Sequence, residues 1–404
     1  MTAPKTAKKS IDRATAMRFI VLLGVVSLFG DMTYEGARSI TGPFLGLLGA
    51  SATVVGIVAG LGELIGYGAR LASGWLGDRT QRYWAVTIAG YVLNLLAVPL
   101  LALAASWEVA AALIIIERMG RGIRSPVRDA MLSHAASHTG LGWGFGLHEA
   151  MDQTGAILGP LLVSAALYLR LGYSHALALL LIPAVISIAV VLVARSLFPN
   201  PRDFDLAPPP LDTRHMRQMY WIYMISVALI GAGYADFALI AYHFGKAAVV
   251  SAPLIPILYA VAMASDAAAS LAVGRWYDRR GMIVLIIGVA LAAVASPLVF
   301  LGNASAALAG MILWGIGMGT QESAMRAVVA GMTAPDRRAT AFGILNAVFG
   351  VAWFAGSAIL GILYDRSVFA VAVLSLALQL LAVPLLLFVM AKAMRRGGRA
   401  SGSH

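Results

Sequence analysis

The chain consists largely of apolar segments that follow one another from about residue 18 almost to its end. Because a helix needs roughly 20 mostly apolar residues to cross a bilayer, this pattern predicts twelve transmembrane helices. They begin near Arg18, Ala52, Tyr83, Glu108, Trp143, Ser174, Met219, Ala252, Met282, Ser305, Ala339 and Val368. A charged, proline-rich segment after the sixth helix is typical of a linker. The chain therefore divides into two groups of six helices.

The predicted organisation has five parts. In chain order they are an N-terminal tail 1–17, a six-helix bundle 18–196, a linker 197–218, a second six-helix bundle 219–391 and a C-terminal tail 392–404. Lysine and arginine concentrate in the two tails, the linker and every second loop, whereas the other loops are nearly free of them. Basic residues stay on the cytoplasmic side of helical membrane proteins. Both termini are therefore predicted to be cytoplasmic, in the cytoplasmic membrane of a bacterium or an archaeon.

The composition supports an all-α membrane protein. Hydrophobic residues make up 60% of the chain and charged residues only 12%, whereas soluble domains carry about 25% charged residues. The net charge of +11 would suit nucleic acid, but the alternation of basic loops accounts for it, so no nucleic-acid partner is expected. The expected partners are the lipid bilayer, a small-molecule substrate and protons. The chain has no cysteine, which excludes disulfides and thiolate metal sites.

A motif after the second predicted helix recurs after the eighth. The first copy reads Gly74-Trp-Leu-Gly-Asp78-Arg79-Thr-Gln-Arg82, and the second reads Gly274-Arg-Trp-Tyr-Asp278-Arg279-Arg280-Gly281. This repeat resembles the G-x-x-x-D-R-x-G-R signature of the major facilitator superfamily, with Gln81 in place of the usual second glycine. The resemblance implies two pseudo-symmetric six-helix bundles that rock around a central cavity. It also implies a cytoplasmic gate formed by Gly74, Asp78, Arg79, Arg82, Asp129, Gly274, Asp278 and Arg279, in which Asp129 is the expected partner of Arg79.

Two further motifs extend the resemblance. The sequence from Arg118 to Gly122 resembles the R-x-x-x-G motif that is associated with proton coupling. In the fifth helix, the spacing G-x8-G-x3-G-P resembles the motif of the superfamily's antiporters, although Val163 stands where a further glycine is expected. Its residues are Gly146, Gly155, Gly159 and Pro160. The resemblance implies a tight, kinked contact between the two halves that limits leak, and hence export by antiport.

The predicted helices of the first half carry many charges. Charged side chains inside a membrane are costly and normally functional. A buried carboxylate beside an arginine can exchange a proton near neutral pH, because desolvation disfavours its charge while the arginine favours it. The predicted proton-coupling residues are Asp31, Glu35, Arg38, Glu63, Glu117, Arg118 and Asp152. We expect Asp31, Glu35 or Asp152 to carry the proton and Arg118 to change partner. The alternative is that these groups form static ion pairs.

Polar and aromatic side chains of both halves are candidates for the substrate cavity. They are Tyr34, His148, Glu149, Tyr234, Asp236, Tyr242, Asp266, Trp314, Gln321, Asn346 and Trp353. The uneven distribution of charge indicates coupling in the first half and substrate recognition that both halves share. His148, Glu149 and Asp152 have a helical spacing that could ligate a transition metal, but such residues more often line a water-filled vestibule, so no metal site is predicted.

The predicted function is proton-coupled secondary transport by alternating access. The chain would export a small amphipathic drug or metabolite by antiport, as a monomer, with the proton gradient as its energy source and no cofactor. The alternatives are a proton symporter that imports a polar or anionic nutrient and an exporter of a metal or metal chelate. A membrane-embedded enzyme that uses His148 and Glu149 for acid–base catalysis, or a receptor without transport, would belong to a different class of protein; neither has a supporting motif.

Overall fold

The computed structural model describes residues 13–80, 82–137, 141–199, 218–333 and 338–400. Regular structure in these ranges is helical throughout. The α-helices in chain order are α1 Arg13–Arg38, α2 Thr41–Leu47, α3 Ala52–Thr80, α4 Tyr83–Leu100, α5 Trp107–Ser137, α6 Leu141–Tyr168, α7 Gly172–Leu179, α8 Leu181–Leu197, α9 Gln218–Gly233, α10 Phe237–Lys246, α11 Leu254–Arg280, α12 Ile283–Ala293, α13 Ala295–Leu301, α14 Ala304–Thr320, α15 Arg326–Met332, α16 Arg338–Tyr364 and α17 Val368–Ala400. A 3₁₀ turn, Leu101–Leu103, extends α4, and a π-helical segment, Gln321–Met325, joins α14 to α15.

Every predicted span begins within five residues of the first residue of a helix. Ten segments of the described chain are long and apolar enough to cross a membrane, and each coincides with a predicted span. The fourth and tenth predicted spans have no such segment. Four arginines interrupt α5, and α14 has only 17 residues before the π-helical segment. The multi-pass helical architecture is therefore confirmed, while the number of twelve crossings stays a prediction.

The ends of the two bundles differ slightly from the prediction. Helix α1 begins at Arg13, inside the predicted N-terminal tail, and α17 continues to Ala400 through most of the predicted C-terminal tail. Neither extension contains a proline, so nothing in the backbone stops these helices at the edge of the apolar segment. Helix α8 ends at Leu197, which is the first residue of the predicted linker. Most of the predicted linker, residues 200–217, lies outside the described part of the chain.

The glycine motif of α6 packs within the first bundle. A side chain at Gly159 would lie 2.9 Å from the amide nitrogen of Gly36 and closer still to the carbonyl oxygen of Met32, and Gly155 faces the carbonyl of Leu28 in the same way. All three neighbours belong to α1. The expectation that this motif joins the two halves was therefore wrong. Gly155 and Gly159 are four residues apart and share one face of α6, and that face is turned towards α1.

The main contacts between the two bundles are those of α3 with α16, of α6 with α11, and of α10 with both α2 and α3. Their polar contacts lie at the end of the molecule where α3 begins and α16 ends. There the Ser164 hydroxyl of α6 donates to the carbonyl of Pro253 at 2.7 Å, and Asp365, just after α16, accepts from the first backbone amides of α3. We call this end the closed face, and the end where α3 leads into α4 the open face.

Candidate functional site

A cavity of about 320 Å³ lies between the two bundles. The first bundle contributes α1, α3, α5 and α6 to its wall, and the second contributes α11, α14, the π-helical segment, α15 and α16. The residues that line it include late turns of α3 and α5 and early turns of α6 and α16, which lie towards the open face. Contacts between the bundles shut the other end. The cavity therefore opens towards the face that the distribution of lysine and arginine predicts to be cytoplasmic.

The cavity wall is rich in charge. Eight carboxylates and five arginines line it: Asp31, Glu35, Glu63, Asp129, Glu149, Asp152, Asp266 and Glu322, with Arg38, Arg70, Arg121, Arg128 and Arg326. A cavity of this size falls at the lower end of the range for small-molecule sites, roughly 300–1,000 Å³. Most such sites are predominantly apolar, so the density of charge makes this cavity chemically suited to a polar or charged ligand.

Arg38 connects carboxylates from both bundles. Its guanidinium lies 3.9 Å from Glu35 Oε2, 3.7 Å from Glu63 Oε1 and 3.8 Å from Asp236 Oδ2. Asp236 belongs to the second bundle, where it caps α10 by accepting from the backbone amide of Ala238 at 2.8 Å. Arg38 is only 8% exposed. It therefore fixes three carboxylates where the two bundles meet.

Glu35 makes a second contact across the bundles. The hydroxyl of Tyr259, in α11, donates to Glu35 Oε2 at 2.5 Å. The other oxygen of Glu35 lies 3.8 Å from the guanidinium of Arg121 in α5. A single carboxylate thus contacts α1, α5 and α11. A change in its charge alters contacts within the first bundle and contacts with the second bundle together.

Arg118 lies behind the cavity wall. Its guanidinium is 3.2 Å from Glu63 Oε1 and 3.5 Å from Glu117 Oε2, and it donates to the hydroxyl of Tyr34. Glu117 also accepts from the side-chain amide of Asn94 at 2.6 Å. Of this group only Glu63 reaches the main cavity. Arg118 therefore contacts Glu63 from the side away from the cavity, and Glu117 in turn contacts Arg118.

The remaining pairs of the first bundle connect α1 and α6 to α5. Arg124, which is 1% exposed, lies 3.2 Å from Asp31 Oδ1 and donates to Tyr91 Oη at 3.1 Å. Arg128 lies 4.0 Å from Asp152 Oδ1 and 2.9 Å from Asp129 Oδ1. Every predicted proton-coupling carboxylate therefore has an arginine within 4.0 Å in the described part of the chain.

The predicted gate is only partly described. The structure does not show Asp129 paired with Arg79: Asp129 pairs with the neighbouring Arg128, and the Arg79 guanidinium lies 5.1 Å from the centre of the Trp75 ring. The physical reason is competition from the adjacent Arg128, whose Nε and Nη2 both donate to Asp129 Oδ1. Gly74 lies near Pro126, and Arg82 and Arg279 are exposed. The side chain of Asp78 lies outside the described part, as do Gly146, Gly274 and Asp278 of the predicted motifs.

Five of the predicted substrate-site residues line the cavity: Glu149, Asp266, Gln321, Asn346 and Trp353. Six do not, because they are engaged in packing or hydrogen bonds elsewhere: Tyr34 under two arginines, His148 against Ser27, Tyr234 between the rings of Trp314 and Trp353, Trp314 itself, Asp236 at the cap of α10, and Tyr242 against Tyr364.

Among the described residues, no group of three or more His, Cys, Asp or Glu side chains could hold a metal ion.

Several cavity residues were not among the candidates from the sequence. They are Tyr67, Arg70, Gln153, Met263, Met318, Glu322, Met325, Arg326 and Phe349. A helical pattern would have indicated some of them. Tyr67 and Arg70 follow Glu63 by four and seven residues, and Phe349 lies three residues after Asn346, so each shares a helix face with a residue that was recognised. The methionines carry no comparable signal, because apolar residues occupy every face of these helices.

Comparison with known proteins agrees with this architecture. The family model of the Major Facilitator Superfamily matches residues 23–279 and 219–402. An uncharacterized protein of Mycobacterium tuberculosis is 42% identical over 376 residues, which cover 91% of this chain and 92% of that protein. The fold is similar to that of the nucleoside transporter NupG, with a TM-score of 0.74, 16% identity and coverage of 93% of this chain and 99% of that chain. It is also similar to a peptide transporter, POT, in complex with sulfate, with a TM-score of 0.77, 14% identity and coverage of 96% and 99%. The chain belongs to the Major Facilitator Superfamily of membrane transporters.

Proposed function

We propose that this transporter is a proton-coupled antiporter that exports a small amphipathic molecule by alternating access. It would act as a monomer, without a cofactor or enzymatic activity, in the cytoplasmic membrane of a bacterium or archaeon. The observation that carries the proposal is the position of Glu35. It is the one carboxylate of the three proton-carrier candidates for which the described residues include a hydrogen-bond partner in the second bundle, Tyr259.

Protonation of Glu35 would act directly on the contact between the bundles. The ionised carboxylate accepts from Tyr259 and faces two arginines, Arg38 and Arg121. Adding a proton removes the charge that both arginines face and converts an acceptor oxygen into a donor. Both changes weaken the closed arrangement. Among the described residues, Asp31 and Asp152 pair only within the first bundle, so their protonation would act on the interface less directly.

The test is transport by the purified protein in proteoliposomes under an imposed pH gradient. Glu35→Gln, Asp31→Asn and Asp152→Asn are compared with the wild type, first for uptake driven by the gradient and then for exchange of substrate at equal pH. The expected result is that Glu35→Gln abolishes gradient-driven uptake but retains exchange. Gradient-driven uptake that persists in all three variants would refute proton coupling through these residues.

The second candidate is a proton symporter that imports an anionic nutrient. Arg70 and Arg326 favour it, because both line the cavity and neither has a carboxylate within 4.0 Å in the described part of the chain. The direction of the substrate gradient that the pH gradient creates in the same proteoliposomes separates the two candidates. Accumulation on the side from which protons leave would favour antiport, and accumulation on the side that protons enter would favour symport.

A further inference from the structure

We propose that the acidic wall of the cavity is a subsite for an organic cation, so that the exported substrate carries a protonated amine. The subsite consists of Glu149 from α6, Asp266 from α11, and Gln321 and Glu322 from the π-helical segment. This inference rests on the proposed function in one respect, because it names the class of molecule that the central cavity binds. It does not depend on which residue carries the proton.

The first observation is that the carboxylates of this wall lack cationic partners. Asp31, Glu35, Glu63, Asp129 and Asp152 each have an arginine within 4.0 Å. Among the described residues, no such partner lies near the other three carboxylates of the cavity, which are Glu149, Asp266 and Glu322. Their polar contacts are neutral: Gln153 donates to Glu149 at 3.2 Å, and Ser270 donates to Asp266 at 3.2 Å. The charge of Glu322 acts on both of the other two. Among the described residues, no lysine or arginine therefore lies within 4.0 Å of these three carboxylates, and Arg326 and Arg121 act on Glu322 only from a greater distance.

The second observation is independent and concerns Gln321. Its side chain is only 5% exposed, yet neither Nε2 nor Oε1 has a hydrogen-bond partner, and the residue lines the cavity. A buried amide left without partners is unfavourable, so a group that enters the cavity is the natural partner. The amide oxygen accepts from an ammonium group, as do the neighbouring carboxylates. Gln321 opens a π-helical segment, a local feature that is frequent at functional sites.

Apolar side chains beside these acids suit the rest of an amphipathic molecule. Met263, Met318, Met325, Leu345 and Phe349 line the same cavity. Methionine side chains adapt to different shapes, and an aromatic face attracts a cation.

Two arginines limit the subsite on one side. Arg326 follows Glu322 by one helical turn, is exposed, and forms no ion pair within 4.0 Å in the described residues; Arg70 lies on the facing helix α3. Both lie closer to the open face than Asp266. An amine that enters from this face would pass Arg326 before it reaches Gln321 and Asp266, so these two residues form the deeper part of the cation subsite.

The experiment compares three probes that differ only in their polar head group: 4-phenylbutylamine, 4-phenylbutanol and 4-phenylbutanoate. Each is equilibrated by dialysis with the purified full-length protein in detergent near neutral pH, and the bound fraction is measured. We expect the amine to bind at least about tenfold more tightly than the alcohol, because hydrogen bonds to a charged group are stronger than those between neutral groups. The carboxylate should bind least, because the carboxylates of the wall repel it. Equal binding of amine and alcohol, or tighter binding of the carboxylate, would overturn the proposal.

Variants locate the subsite. Asp266→Asn and Glu322→Gln should each weaken amine binding about tenfold and leave alcohol binding unchanged, and Asp266→Glu should restore most of the loss. Glu108→Gln is the matched control, because Glu108 is exposed at the closed face and does not line the cavity. Amine binding that is unchanged in both Asp266→Asn and Glu322→Gln would place the cation elsewhere and refute the subsite. Each variant is first checked for an unchanged melting temperature and elution volume.

The outcomes also separate this inference from the proposed function. Proton-driven transport of some other compound, together with no preference for the amine, would retain antiport and refute the cation subsite. Selective amine binding in a protein that shows no proton-driven flux would retain the subsite and refute the coupling.

Discussion

Replacing Asp365 is expected to weaken the contact that holds the closed face together. Asp365 lies between α16 and α17, and its carboxylate accepts from the backbone amide of Ala52 at 3.2 Å, from that of Thr53 at 2.8 Å and from the Thr53 hydroxyl at 2.6 Å. A residue of the second bundle thus caps the first turn of α3 in the first bundle. In the proposed alternating-access cycle the capping groups would separate when this face opens, so the cap would stabilise one access state only.

The magnitude follows from the chemistry of helix caps. Removing an Asp side chain from a helix N-terminus costs about 1 kcal/mol. Because this cap is made only while the face is closed, Asp365→Ala should shift the ratio of closed to open molecules by about fivefold. Thr53→Val removes one of the three hydrogen bonds and should have a smaller effect. The two effects should be less than additive when combined, since both substitutions break the same contact.

Protonation gives a second way to remove the cap. Desolvation raises the pKa of the Asp365 carboxyl, but the hydrogen bonds from Thr53 and Ala52 together outweigh it and hold that pKa below its usual value of 3.8. A carboxyl group with a lowered pKa stabilises the closed face fully above its usual pKa. This stabilisation is lost as the pH falls through the lowered value. Acidification at this face from about pH 4 to below the lowered pKa should therefore progressively reproduce the effect of Asp365→Ala, and should have little further effect on that variant.

The assay uses the absence of native cysteine. Ala105→Cys and Ser251→Cys place one thiol on each bundle at exposed positions of the closed face, and two dyes report the distance between them by energy transfer in single molecules. The populations of molecules with a short and with a long distance give the ratio of closed to open molecules directly. Glu108→Gln, which removes an exposed carboxylate from the same face, is the control. An unchanged ratio in Asp365→Ala would show that packing alone holds this face and that the cap contributes nothing.

Three further predictions concern the first bundle and its contact with the second. Gly159→Leu should lower the melting temperature strongly because overpacking against α1 costs about 1–3 kcal/mol, whereas Gly343→Ala, where a side chain meets open space, should leave it nearly unchanged; equal effects would contradict the packing. Arg124→Leu should destabilise the protein by about 3–5 kcal/mol because it leaves Asp31 buried without its arginine, and chemical unfolding of Arg124→Leu with and without Asp31→Asn should show recovery in the double variant. Tyr259→Phe removes the hydroxyl that donates across the bundles and should shift the pH dependence of transport in proteoliposomes. The free energy of unfolding should stay within about 1 kcal/mol of the wild type. An unchanged pH profile would show that this hydroxyl takes no part in coupling.

Helix positions could be predicted from the sequence because a bilayer permits few structures. Backbone groups must pair within the segment, and the thickness of the membrane fixes the length of each helix, so the spacing of apolar segments determined where the helices begin. The boundary between the bundles followed from the prolines of the linker. Breaks inside spans were not predicted, as between Leu179 and Leu181 or at the π-helical segment, because the apolar pattern continues through them.

Partners across helices could not be predicted in the same way. The sequence indicated that Asp31 and Glu35 share a face of α1, but it did not indicate that Asp31 meets Arg124 while Glu35 meets Tyr259. Four arginines at helical spacing on α5 offer each acid several equivalent partners, and only the rotation of the packed helices selects among them. The glycines of α6 show the same limit: their spacing predicts a close approach, but it carries no information about which helix approaches.

The distribution of charge suggests that the proton and the substrate use different carboxylates. In the first bundle, every carboxylate that lines the cavity except Glu149 has an arginine within 4.0 Å. A cation that bound to one of them would have to displace that arginine. The wall around Asp266 requires no such displacement. If antiport proceeds as proposed, Glu35 and the acidic wall are coupled through α11, because this helix carries both Tyr259, which contacts Glu35, and Asp266 two turns further on. Movement of α11 would carry the effect of protonation to the substrate, without direct competition for one carboxylate.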